Sequence, residues 1–134
     1  MATYLLDTNF IIDAINNKKD RRLALRRLAE RGHTLACRPI NVAEVYAGLR
    51  PKEEQLTAAL LRSFELYPIT FPVAELAGRL KREYGGKGTT LTIADTIVAA
   101  VALYHQITLI TDNAKDFPME DLSVLSLPKT DYLQ

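Results

Sequence analysis

Four acids in this chain each fall where one structural element should give way to the next. They are Asp7 in "YLLDTNFIIDAI", Glu44 in "INVAEVYAGL", Asp95 in "LTIADTIVAAVAL" and Asp112 in "TLITDNAKDF". His33 and His105 each stand alone at the end of a helical pattern, as surface residues or C-terminal helix partners, and the single cysteine, Cys37, reads as a small buried apolar residue. The ligands on offer are therefore oxygens. An all-oxygen set that leaves room for water and phosphate suits Mg2+ or Mn2+ better than zinc.

Each acid also has a local explanation. Asn41 with Glu44, and Thr92 with Asp95, have the spacing of capping boxes, Asp7 and Asn9 could cap the helix that follows them, and Asp112 with Asn113 could make a turn. Capping does not account for convergence, however. Four like charges in one crevice repel each other unless a cation sits among them.

Convergence depends on the elements that carry these residues. "TYLL" predicts a first strand, followed by a short helix over 10–15 and a longer one in "DRRLALRRLAERG" that Gly32 ends. "TLACR" predicts a second strand, "NVAEVYAGL" a helix beginning near Asn41, "KEEQLTAALLRSFEL" another, and "YPITF" a short extended piece. Pro72 opens the helix "PVAELAGRLKREY", which "GGKG" closes, and "TIADTIVAAVALYH" is the most apolar helix in the chain. "ITLIT" and "SVLSL" supply the last strands. Strands alternating with helices predict a three-layer α/β/α sandwich around a mostly parallel sheet, with residues 1–134 forming one domain. Such sheets bind ligands beyond the carboxyl ends of their strands. Asp7 and Asp112 follow strands, while Glu44 and Asp95 fall in first turns of helices, so all four are expected at that edge.

Composition narrows the partners. One cysteine rules out an intrachain disulfide and a thiolate metal cluster. The longest apolar run, "IVAAVALY", is far shorter than the roughly 20 residues a bilayer needs, and no secretory leader is legible, so a cytoplasmic protein is expected. Net charge is +1 but uneven: between Lys18 and Arg31 seven basic residues face two acids, and from Asp112 onward five acids face two lysines. That asymmetry permits a polyanionic partner.

The four acidic stretches, in this order and spacing, resemble the motifs of the PIN-domain family, and specifically VapC-type toxins of toxin–antitoxin pairs. The resemblance runs from Tyr4 to about Phe117. It implies a Mg2+- or Mn2+-dependent endoribonuclease whose metal site is carried by Asp7, Glu44 and Asp95, with Asp112 at the fourth acidic position and Asp116 as its alternative. Thr8 and Asn9 resemble residues that orient Asp7, and Thr111 could serve Asp112 similarly. The resemblance further implies an RNA substrate, a VapB-like antitoxin and a homodimer. Lys18, Lys19, Arg38, Arg50, Lys87 and Lys115 are candidates for phosphate contacts by position. The alternative is a PIN-like module that holds RNA or protein without cleaving. A phosphatase of the haloacid-dehalogenase kind would need a second Asp where Asn9 stands.

Overall fold

The computed structural model describes residues 2–126. Five parallel strands form one sheet in the order β3-β2-β1-β4-β5, with β1 at Thr3–Leu6, β2 at Thr34–Cys37, β3 at Glu65–Leu66, β4 at Thr108–Ile110 and β5 at Val124–Leu125. The connections carry six helices: α1 Thr8–Ile15, α2 Arg21–Glu30, α3 Pro39–Ala47, α4 Glu54–Arg62, α5 Phe71–Gly86 and α6 Ile93–His105.

Strand alternation divides the core into two layers. Leu5, Ala36 and Leu109 point into a cluster with α5 and α6, whereas Leu6, Cys37 and Ile110 point into one with α1, α2, α3 and α4. Successive side chains on a strand face opposite ways, so the central strands are apolar on both faces and read as unbroken runs. The expected three-layer sandwich is present. The sheet is built outward from β1 to β2 and β3, then returns across it to β4, so the order reverses between β1 and β4. In open α/β sheets such a reversal, beyond the carboxyl ends of these two strands, is where ligands bind.

Three local expectations need correction. Helix α3 begins at Pro39, not near Asn41, because Pro at the first helical position sacrifices only an N–H that would be unpaired there. Glu44 consequently lies in the second turn and is not the capping partner of Asn41. The pattern "KEEQLTAALLRSFEL" does not stay helical to its end: a 3-10 turn at Pro51–Glu53 precedes α4, and Glu65–Leu66 is instead the edge strand β3, pairing Cys37 with Leu66. Helix α5 continues through Gly86, so its closing signal acts two residues later than the first glycine. Leu127, the last residue of the expected strand "SVLSL", lies outside the described residues.

Candidate functional site

The crevice is assembled from residues just past the paired strands. Leu6 pairs with Ile110 and Leu5 with Ala36, so the next positions in register set Asp7 beside Thr111 on one side and Arg38 on the other. Neighbouring strands lie about 4.8 Å apart, which makes these side chains immediate neighbours. Asp7 is at once the end of β1 and the N-cap of α1. Its Oδ1 accepts from the Thr8 backbone N–H at 2.8 Å and its Oδ2 from the Thr111 hydroxyl at 3.1 Å. Thr111 Oγ1 in turn accepts the N–H of Asn113 at 3.1 Å.

Glu44 joins Asp7 through Thr8. The Thr8 hydroxyl donates to Glu44 Oε1 at 2.7 Å and accepts from Asn41 Nδ2 at 2.6 Å, while Asn41 Oδ1 accepts the Arg38 N–H at 2.7 Å. Asn41 is completely buried and Thr8 nearly so. Buried polar groups are costly unless bonded, so this chain fixes the start of α1 against the start of α3. Glu44 Oε1 is held by this chain.

Asp95 occupies the third position of α6, and its backbone N–H donates to the Thr92 hydroxyl at 3.0 Å. Its carboxylate makes no hydrogen bond or ion pair among the described residues and is half-buried. Asp112 is differently employed. Oδ1 pairs with Arg21 Nη2, and Oδ2 lies 3.6 Å from Lys19 Nζ, which also pairs with Asp13 at 3.5 Å. Arg21 is only 1% exposed and its guanidinium carbon stands 4.6 Å from the centre of the Phe10 ring. Asp116 sits in a 3-10 turn at Ala114–Asp116, and Asn9 is exposed; orienting Asp7 falls to Thr8 and Thr111 rather than to Asn9.

Of the basic candidates, Lys19 is drawn to Asp112, Arg50 bonds Glu53 at 3.0 Å and Lys87 bonds Glu83 at 3.3 Å. Arg38 is buried, 6% exposed. Burial holds its guanidinium below the ordinary arginine value, while the charges of Asp7 and Glu44 push the other way. An arginine so placed remains charged at neutral pH. Asn41, Arg21 and the buried state of Arg38 were not legible as site features in sequence. Asn41 read as a helix cap, and nothing marked either arginine as buried.

The donors suit a hard cation in kind. Each Asp7 oxygen has accepted one hydrogen bond and keeps further acceptor capacity, and Glu44 Oε2 makes no hydrogen bond among the described residues. No three His, Cys, Asp or Glu side chains among the described residues are gathered as a ready metal cage. Asp7 and Glu44 are joined through Thr8, while Asp112 is drawn to Arg21 and Lys19, so the expected meeting of all four acids is not formed among the described residues.

A sheet with this switch point and an acid at the end of its first strand has known counterparts. A model of the PIN domain matches residues 4–119, and the chain belongs to the PIN-domain family. Within that family its relatives are VapC proteins: it is 30% identical over 119 residues to ribonuclease VapC2 of Rickettsia felis, covering 85% of this chain and 89% of the relative. It is 27% identical over 115 residues to ribonuclease VapC19 of Mycobacterium tuberculosis, covering 86% and 92%. Among solved structures, it superposes on a chain of the VapBC2 complex of Rickettsia felis bound to a promoter DNA fragment with a TM-score of 0.78, at 26% identity and 92% and 98% coverage. A toxin–antitoxin complex from Klebsiella pneumoniae gives 0.73, at 30% identity and 91% and 95% coverage.

Proposed function

We propose that this chain is the toxin of a VapBC-type pair, a divalent-cation-dependent endoribonuclease acting in the cytoplasm, with residues 1–134 as a single PIN domain. The observation that carries the reading is the tether of Asp7 and Glu44 through Thr8, which holds two oxygen donors in fixed relation at the switch point of the sheet. Asp7, Glu44 and Asp95 are the residues that would hold Mg2+ or Mn2+, and bound there the cation would supply water activation and charge neutralisation at the scissile phosphodiester. Thr8, Asn41 and Thr111 keep the carboxylates in place, so that little reorganisation is needed when RNA arrives. Asp112, with both oxygens engaged by Arg21 and Lys19, ties the loop after β4 to the start of α2 and so holds Thr111 against Asp7. Asp116, in the 3-10 turn of the same loop, is the alternative for the fourth acidic position.

The solved relatives include complexes of toxin with antitoxin, and a VapB-like antitoxin is the partner proposed here, with a homodimer as the assembly. A groove of about 670 Å3 between α1, α2 and α4, lined by apolar residues such as Leu25, Leu35 and Leu60 and by three basic residues, Arg22, Arg26 and Lys52, against one acid, Glu53, suits an amphipathic antitoxin helix with acidic flanks. No helix among the described residues is long and apolar enough to cross a membrane.

The test is direct. Antitoxin-free protein would be incubated with transfer RNA and with DNA, in Mg2+, in Mn2+ and in chelator, beside Asp7→Asn. RNA cleavage that needs the cation and Asp7 supports the reading. Cleavage that survives both chelation and the substitution overturns it, and RNA binding without cleavage under every condition favours the binding module.

A further inference from the structure

Beside the acid pair lies a charge of opposite sign that the reaction scheme above leaves unused. We propose that Arg38 is a built-in counter-ion of Asp7 and Glu44, which steadies the crevice before a cation arrives and sets how tightly the cation is held. The inference rests on the cation-binding reading of the same crevice.

Position is the first argument. Arg38 is the residue after β2 and Asp7 the residue after β1, and both backbones are still extended, at φ −112° and ψ 158° for Arg38 and φ −74° and ψ 152° for Asp7. Continuing the register of Leu5 with Ala36 sets the two residues side by side. Alternation then sends both side chains toward the same layer, the one that holds Leu5 and Ala36.

Connection is the second. The Arg38 N–H is bound by Asn41, which binds Thr8, which binds Glu44, so the main chain of the arginine and the carboxylate of Glu44 belong to one hydrogen-bonded chain.

Burial is the third. Arg38 is 6% exposed and its Nε makes no hydrogen bond with any described residue. A guanidinium withdrawn from water without a full set of acceptors is expensive, and nearby negative charge is what compensates it. Asp7 and Glu44 are the carboxylates whose charges act on it, in opposition to the effect of burial. A divalent cation entering the same crevice meets an arginine already there and is repelled by it, so the arginine lowers cation affinity while making the empty crevice tolerable.

The experiment uses the antitoxin-free full chain and Mn2+ as the probe. Mn2+ affinity is measured by isothermal titration calorimetry for the parent protein, Arg38→Gln and Arg38→Lys, and the shift of the unfolding midpoint on adding Mn2+ is recorded for each. Arg38→Gln should bind Mn2+ about tenfold more tightly and gain more thermal stability from it than the parent does. Arg38→Lys, which keeps the charge, should remain within about threefold of the parent. If Arg38→Gln folds only when Mn2+ is present, the cation has replaced the arginine and the proposal stands. Equal or weaker Mn2+ binding by Arg38→Gln overturns it, as does a failure to fold with and without Mn2+. A parent protein that binds no Mn2+ removes the cation-binding reading instead, a result distinct from a parent that binds and a variant that does not differ.

Discussion

The Thr8 hydroxyl donates to Glu44 Oε1 at 2.7 Å across 36 residues of sequence, and it is the point at which the first and third helices are locked into one site. The same oxygen accepts from the completely buried Asn41. Thr8→Val keeps the shape and removes both bonds, leaving Asn41 Nδ2 without its acceptor. Stability should fall by about 1–3 kcal/mol, measured by urea unfolding. RNA cleavage should fall about tenfold or more, because an acid that has lost its orienting partner holds its ligand poorly. Thr8→Ser should restore most of both, and a fully active Thr8→Val protein would show that the tether is dispensable.

The pair formed by Arg21 and Asp112 makes an asymmetric prediction. Arg21 is 1% exposed, whereas the Asp112 side chain is 27% exposed and can regain water. Removing the acid strands a buried charge, so Asp112→Asn should cost about 3–5 kcal/mol. Removing the base should cost less, about 1–3 kcal/mol for Arg21→Met, since Asp112 keeps Lys19 and solvent. Chemical denaturation of both variants and of Arg21→Met with Asp112→Leu checks this. The double variant should recover much of the loss, and equal costs for the two single changes would deny the burial argument.

How far the sequence disclosed all this depends on where each signal resides. Strands β1, β2 and β4 are apolar on both faces, so their runs are unbroken and end at the first polar residue, which is Asp7 after β1 and Thr111, one residue before Asp112, after β4. Strand β3 was hidden because it is two exposed residues at an edge, with no alternation to read. Helix α3 starts at Pro39, two residues before the expected start near Asn41, because proline is tolerated at the first helical position. The acids were legible by type. Asn41, Arg38 and Arg21 owe their roles to burial and to partners 33 or more residues away, or in the next strand, and no local pattern carries that.

Cys37 should behave as an inert thiol. It is completely buried, and burial raises its pKa, with the charge of Arg38 acting weakly in the opposite sense. The unfolded chain therefore loses this proton at lower pH than the folded one. The contribution is fully present below about 8.5, the ordinary thiol value, and fades as pH rises past it. Between pH 7 and 9 the parent protein should lose more stability than Cys37→Ala does. Iodoacetamide at pH 8 should label the native thiol at least about tenfold more slowly than the same protein in denaturant. Rapid native labelling would mean that the second strand opens readily.

Leu56 separates partner binding from folding. It lines the groove between α1, α2 and α4 and is 81% exposed, so the free protein gains little from it. Leu56→Asp should leave stability within about 0.5 kcal/mol and should not alter RNA cleavage by the free enzyme. An acidic residue there would face an antitoxin helix whose flanks are expected to be acidic, beside the basic lining residues Arg22, Arg26 and Lys52 that attract them. The affinity for the antitoxin, measured by calorimetry with the purified partner, should therefore weaken about tenfold or more. If the variant is as tightly captured and as fully inhibited as the parent, the antitoxin does not use this groove, and inhibition must come from contacts at the acid crevice alone.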